Sequence, residues 1–324
     1  MYQIFICGCF IGFICGYIYR WRGVPFLGKW GIPFVGQARK YNIGIYTGSS
    51  LKALSEPVGV QNPIFTMEDI TDISAETLAD PFLFRNGDEW HMFMEVKNRA
   101  RNLGEIGYAI SKDGLLWSYQ SIVLREDFHL SYPFVFEYGG EIWMIPETSA
   151  KCCVRLYRAV NFPRLWKFEK LLLEGYSYTD ASVFQQDGSW WMFVSRNRSE
   201  DLLLYFADDL KGPWQLHPKS PILYAKPDMA RCAGRPTRLN GRLLRFAQNC
   251  EIEYGRAVRV FEVQRLSKID FQEIEMDESP ILYQSGQGWN ANGMHHIDIH
   301  ELSDGSYLAA VDGWQMVFDY GLRY

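Results

Sequence analysis

The sequence predicts an all-β chain: a five-bladed β-propeller whose last blade is completed by an N-terminal strand, preceded by an N-terminal membrane helix. Three observations carry this prediction. One short apolar hairpin recurs at a spacing of about fifty residues, a period that marks propeller blades. A second hairpin, built around an aromatic residue, follows each of the first four copies. The fifth copy has no such follower, while a strand-like segment near the other end, Asn42–Thr47, has no hairpin of its own.

The elements follow in chain order. Gln3–Tyr19 carries no charge and is mostly Ile, Phe, Cys and Gly; at 1.5 Å rise per residue it reaches the low end of a transmembrane span. It has neither a basic leader nor a small-residue cleavage site, which argues against a cleaved signal peptide. Arg20 and Arg22 follow at once, and the positive-inside rule then puts the rest of the chain in the cytosol, with the Golgi lumen as the alternative. Trp21–Phe34 reads as an interfacial collar. The expected organisation is 1–22 membrane segment, 23–41 collar or linker, and 42–324 propeller.

The five hairpins are Asp80–Glu95, Tyr132–Glu147, Asp180–Phe193, Gly234–Phe246 and His295–Leu308, each with apolar strands around a Gly-containing turn. The aromatics of the following hairpins are Trp117, Trp166, Trp214 and Phe271. Joining the two chain ends in one blade removes an exposed sheet edge.

Composition narrows the function classes. The 324 residues are 48% hydrophobic and 16% aromatic, enough for one large core. Net charge is −5 and the basic residues are scattered, so nucleic-acid binding is set aside. The seven cysteines form no CxxC pair, and Cys152-Cys153 is a poor disulfide framework. They read as buried free thiols in a reducing compartment. No metal site is expected.

Register then gathers side chains. Because each turn is short, the start of an inner strand and the end of its partner share one rim. That rim collects Asp80, Glu95, Lys97, Tyr132, Glu147, Asp180, Arg196, Arg235, Gln248, Asn249, His295, His296 and Asp312. Charged residues entering an apolar blade are costly unless paired, so a ring of them suggests a polar ligand. Trp289, Trp314 and nearby tyrosines offer apolar faces for sugar rings. Structural alternatives stand beside each. Asp80 and Asp180 suit a capping role; Glu147 suits an ion pair with an Arg; Glu95 could neutralise Lys97 or Arg99; Arg235 could be an ion-pair centre; one of His295 and His296 must face away.

The ordered set Ala79-Asp80-Pro81, Tyr132-Pro133, Thr179-Asp180-Ala181-Ser182, Gly234-Arg235-Pro236 and His295-His296-Ile297-Asp298 resembles the inner strands of the glycoside hydrolases of family 43. That resemblance implies Asp80 as general base and Asp180 as the residue that tunes pKa and orients substrate. The family's fourth-blade acid, a Glu, has no match: Gly234 stands in its place. A second resemblance covers residues from about 42 to 300. Phe93–Asn98, Gly104–Gly114, Phe128–Phe136, Met144–Thr148 and Ala233–Pro236 resemble the N-terminal domain of plant glucosamine inositolphosphorylceramide transferases, whose separate catalytic domain is not expected within these residues.

The functional expectation is glycosyl transfer onto a membrane-linked or surface glycan, with Asp80 as base, a sugar nucleotide as donor, and Lys97, Arg196 and Arg235 neutralising a phosphate leaving group. Tyr132, His295, His296 and Trp289 complete the expected substrate-binding set. Two alternatives remain: an inverting glycoside hydrolase with Glu147 or Glu95 as acid, and a non-catalytic glycan-binding propeller. The expected partners are a glycan or glycolipid and, through residues 3–19, a membrane.

Overall fold

The computed structural model describes residues 35–196 and 200–320. Tyr41–Gln315 form one compact body, and the described ends, 35–40 and 316–320, belong to a second small unit. The apolar run 3–19 lies outside the described residues, within which no helix is long and apolar enough to cross a membrane.

Five antiparallel sheets follow one another along the chain. Blade one is Ala75–Asn86, Glu89–Asn98, Leu103–Ser111 and Ser118–Leu124; blade two is Ser131–Tyr138, Glu141–Glu147, Cys153–Asn161 and Leu165–Glu174. Blade three is Tyr178–Gln186, Ser189–Arg196, Asp201–Ala207 and Gln215–Leu216. Blade four is Thr237–Leu239, Arg242–Asn249, Ala257–Leu266 and Phe271–Glu275, with Leu282–Tyr283 added beside Ala257 and Val258. Blade five is Ile297–Glu301 and Tyr307–Tyr320 with Val35–Gly48 from the other end of the chain. Ile43 donates its N–H to the Phe65 carbonyl at 3.0 Å and Thr47 pairs with Ser55, which supplies a short outer edge. The closure expected around Ile43–Thr47 is present, and its strand begins at Val35, within the stretch read as a collar.

The repeated aromatic has a physical role. Trp117, Trp166 and Trp214 each donate the indole N–H to a backbone carbonyl of the preceding turn, at 2.8, 2.8 and 3.1 Å. The ring packs apolar surface while its one polar atom is satisfied. The four described cysteines are free; Cys153 and Cys232 are buried as expected, whereas Cys152 is exposed.

One irregularity recurs where it matters. In blades one, two and three the inner strand carries one residue more than its partner: Ala79 to Phe82 faces Glu95 to Phe93, Ser131 to Phe134 faces Glu147 to Ile145, and Thr179 to Ser182 faces Ser195 to Phe193. The extra residue takes a left-handed backbone at Asp80 (φ 53°), Tyr132 (φ 46°) and Asp180 (φ 55°). Such a backbone costs on the order of 1–3 kcal/mol per non-glycine residue and concentrates at functional sites. The bulge turns these three side chains out of the pleat at the same level of three blades.

Candidate functional site

The bulges deliver two carboxylates to one end of the body. Asp80 is buried, and its backbone N–H donates to Asp312 Oδ2 at 3.0 Å. Asp80 Oδ2 accepts the N–H of Tyr132 at 3.2 Å, which links blade one to blade two. Its Oδ1 lies 3.8 Å from His295 Nε2 and 3.7 Å from His296 Nδ1. Burial raises the Asp80 pKa well above the usual carboxylate range; His295 opposes that shift, and Asp312 and Asp180 add to it.

Asp312 organises the histidine pair. Its Oδ1 accepts the backbone N–H groups of His295 and His296, at 3.1 and 3.0 Å, and lies 2.7 Å from His295 Nδ1. Burial alone would lower the His295 pKa, but the charge and hydrogen bond of Asp312, with Asp80 beyond, raise it to about 9. His295 therefore sits between two carboxyl groups that favour its protonated form. His296 behaves oppositely: burial pushes it down to about 4. Its Nε2 donates to the Pro81 carbonyl at 3.1 Å, which leaves Nδ1 as an acceptor facing Asp80. Asp80, His295 and Asp312 lie close enough to share a cation, their ligand atoms within 4.8 Å of one another, but Asp312 already accepts from four donors.

The second carboxylate cluster is held by a residue that the sequence reading missed. Arg231 reaches Asp180 Oδ2 through Nε at 2.5 Å and Glu147 Oε2 through a terminal nitrogen at 3.4 Å, and its guanidinium lies 5.1 Å from the Tyr254 ring centroid. Glu147 Oε1 accepts from Ser149 Oγ at 2.6 Å. Burial raises the Asp180 pKa to about 7 despite Arg231, with Glu147 adding repulsion. Tyr254 and Tyr41 flank His295, with ring centroids 5.5 and 4.8 Å away. Arg231, Arg196, Lys226 and Tyr254 also line a cavity of about 180 Å³ beside Thr179 and Cys250.

Arg231 had a readable signal. The sequence reading began the fourth copy at Gly234, yet Cys232 already pairs with Ala247 and the Arg231 carbonyl accepts Gln248 N–H at 2.8 Å. Starting the copy three residues earlier would have put Arg231 on the rim.

Other expected rim residues have partners of their own. Arg235 is the ion-pair centre: it binds Asp298 at 2.8 Å, donates to the carbonyls of Val135 and Leu83 at 2.9 and 3.3 Å, and stacks 4.6 Å from the Phe134 centroid. Arg196 pairs with buried Asp201, although it also lines the small cavity. Lys97 pairs with Glu76 at 3.4 Å, and Glu95 pairs with His129 at 3.3 Å rather than with Lys97 or Arg99. Tyr132 brings its backbone N–H to the site, whereas its hydroxyl is a strut to Ser182 Oγ and the Gly234 carbonyl at 2.8 and 3.0 Å. Trp289 lies in a separate groove with Glu56.

Gly234 explains the missing fourth-blade carboxylate. At φ 146°, a Cβ there would lie 1.7 Å from the Ile297 carbonyl oxygen. No side chain fits without moving blade five, so the position cannot carry an acid in this backbone.

Comparison with known proteins places this geometry in a family. The family model described as "Glucosamine inositolphosphorylceramide transferase 1, N-terminal" matches residues 28–314. The chain belongs to that family. Glucosamine inositolphosphorylceramide transferase 1 of Arabidopsis thaliana is 37% identical over 265 residues, covering 78% of this chain and 34% of the relative. The protein of the same name from Oryza sativa subsp. japonica is 36% identical, with 78% and 36% covered. The chain thus spans about a third of the length of these relatives. Among solved structures, a GH62 α-L-arabinofuranosidase catalytic domain from Coprinopsis cinerea superposes with TM-score 0.55 at 10% identity, covering 74% of this chain and 91% of the other. The Bombyx mori GH32 β-fructofuranosidase BmSUC1 superposes with TM-score 0.55 at 14% identity, covering 75% and 58%. These likenesses concern the fold alone.

Proposed function

We propose that this propeller is a carbohydrate-active enzyme that transfers a glycosyl group onto a membrane-linked glycan or glycolipid, with Asp80 as the base. The observation that carries this reading is the chain Asp312–His295–Asp80, in which a histidine held by one buried carboxyl group faces a second one at 3.8 Å. The acceptor hydroxyl would lose its proton to Asp80 as its oxygen bonds the anomeric carbon, and the bond from that carbon to the donor's phosphate oxygen would break. Burial raises the Asp80 pKa, and His295 opposes that shift toward the anionic form the first step needs. The departing phosphate needs a cation more than a proton, and Arg231 is the cation nearest the carboxylates. The two relatives named above are called transferases, which agrees with this direction.

Hydrolysis is the second reading. It would need Glu147 or Glu95 as acid, since Gly234 admits no side chain. Both are already engaged, Glu147 by Ser149 and Arg231 and Glu95 by His129. A glycan-binding propeller without turnover is the third.

The apolar run 3–19 would tether the body to a membrane near its acceptor, with Arg20 and Arg22 favouring the cytosolic side over the Golgi lumen. Deleting residues 1–22 should then release folded protein from membranes; continued membrane retention would oppose the tether.

The deciding experiment incubates purified protein with sugar nucleotides plus a glycolipid acceptor, and separately with aryl glycosides. Nucleotide release that depends on acceptor supports transfer. Phenol release alone supports hydrolysis. Saturable glycan binding without either product supports the binding reading.

A further inference from the structure

Outside the mouth, an open groove of about 810 Å³ runs along blades four and five. That volume lies in the range of small-molecule sites. Exposed Tyr283 and half-buried Tyr46 supply its aromatic surface, and Trp289 lines it from within the buried core; Glu56, Gln284 and the largely buried Asn290 supply polar groups. None of its described lining residues is Lys, Arg or His, whereas the mouth holds Arg231 and His295.

The groove is built rather than incidental. Trp289 occupies a slot that two glycines leave open: a Cβ on Gly44 or on Gly313 would come within 2.6 Å of its ring. Its indole N–H donates to Glu56 Oε1 at 3.2 Å, across 233 residues of sequence. Asn290 Nδ2 donates to the Tyr46 hydroxyl at 3.2 Å and its Oδ1 accepts from Ser285 Oγ at 2.6 Å. Burial and the nearby Glu56 carboxylate push the Tyr46 pKa up to about 12, so its hydroxyl stays neutral. Tyr283 is 64% exposed on the short added strand of blade four, where its ring has no burial to gain from the fold itself.

We infer that this groove is a second glycan-binding site, separate from the mouth, that takes a neutral oligosaccharide. Each half of the inference follows from the lining. A site for phosphate or a nucleotide needs a positive charge or a bank of free N–H donors, and the one ionisable acid here, Glu56, repels anions. Neutral sugars present C–H faces that stack on aromatic rings and hydroxyls that donate to carboxylate and amide oxygens. Fixed aromatic and amide groups also reduce the ordering cost of binding. The inference stands whether or not the mouth catalyses transfer.

The test titrates full-length protein with neutral gluco-, manno-, galacto- and xylo-oligosaccharides by calorimetry, with inorganic phosphate as the anionic control. At least one oligosaccharide should bind and phosphate should not compete with it. Tyr283→Ala should weaken that binding about tenfold, Tyr283→Phe should retain most of it, and Arg231→Met at the mouth should leave it within about twofold. Loss caused by Arg231→Met but not by Tyr283→Ala would assign the sugar to the mouth and overturn the inference. So would the absence of binding to every oligosaccharide at millimolar concentration. A failure of glycosyl transfer would leave these titrations unaffected, so the two proposals fail separately.

Discussion

Two ion clusters occupy the inner strands, and they differ in how completely their charges are answered. Around Arg235 every partner is matched: the guanidinium meets both oxygens of Asp298 and two carbonyls, and it packs against the rings of Phe134 and Phe82. Asp298 also accepts the Leu83 N–H and meets His300, and Arg235 and His300 together hold its pKa well below the usual range against the cost of burial. At the mouth, Asp80, Asp180, Glu147 and Asp312 share Arg231 and His295, and burial pushes Asp80 and Asp180 upward. A saturated buried pair holds blades in register, while an excess of buried carboxylate keeps protons exchangeable. The first cluster is architecture and the second is where chemistry is expected.

The largest effect should separate them by stability. Arg235→Met leaves the buried Asp298 with only the Leu83 N–H and His300, which should cost about 3–5 kcal/mol in urea denaturation. The double variant Arg235→Met/Asp298→Asn should recover a large part of that loss. If Arg235→Met were neutral, the pair would not hold the blades and the comparison would break.

The mouth should reveal itself through pH. His295, at about 9 against an ordinary 6.5, contributes stability that is complete below pH 6.5 and disappears as pH rises through 9. Unfolding free energy should therefore fall by on the order of 2–3 kcal/mol between pH 7 and 10. Asp180 titrates near 7 against an ordinary 3.8, so the cost of its raised pKa builds up as pH rises to 7 and is then nearly constant, adding little slope in that window. In His295→Gln the slope should flatten; an unchanged slope would assign the titration elsewhere.

A smaller loss is expected from Arg231→Met, about 1–2 kcal/mol, because Asp180, its pKa already raised to about 7, can take up a proton when the guanidinium is gone. A loss equal to that of Arg235→Met would erase the distinction between the clusters.

How much of this was legible in the sequence varies by residue and for physical reasons. The hairpins were readable because glycine-containing turns punctuate alternating strands, and the orphan strand at Asn42–Thr47 foretold closure. Asp80, Glu147, Asp180 and His295 lie near one another as their register implies, because register decides which rim a side chain reaches. Register does not decide its partner, so Lys97, Arg196 and Arg235 were placed on the rim while Glu76, Asp201 and Asp298 claim them. The left-handed bulge under Asp80, Tyr132 and Asp180 left no mark in periodicity. Arg231 was lost to a repeat boundary drawn three residues late, and Trp289 to the assumption that an aromatic near His295 must face the mouth.

The central claim is that Asp80 is a base rather than a cap, and Asp80→Asn tests it most directly. The amide keeps the shape and can still accept the Tyr132 N–H, so thermal stability should change little. Acceptor-dependent nucleotide release should fall at least ~100-fold, the size expected when a general base is removed. Full turnover in Asp80→Asn, or unfolding of the variant, would contradict the account and leave Asp80 with a structural role.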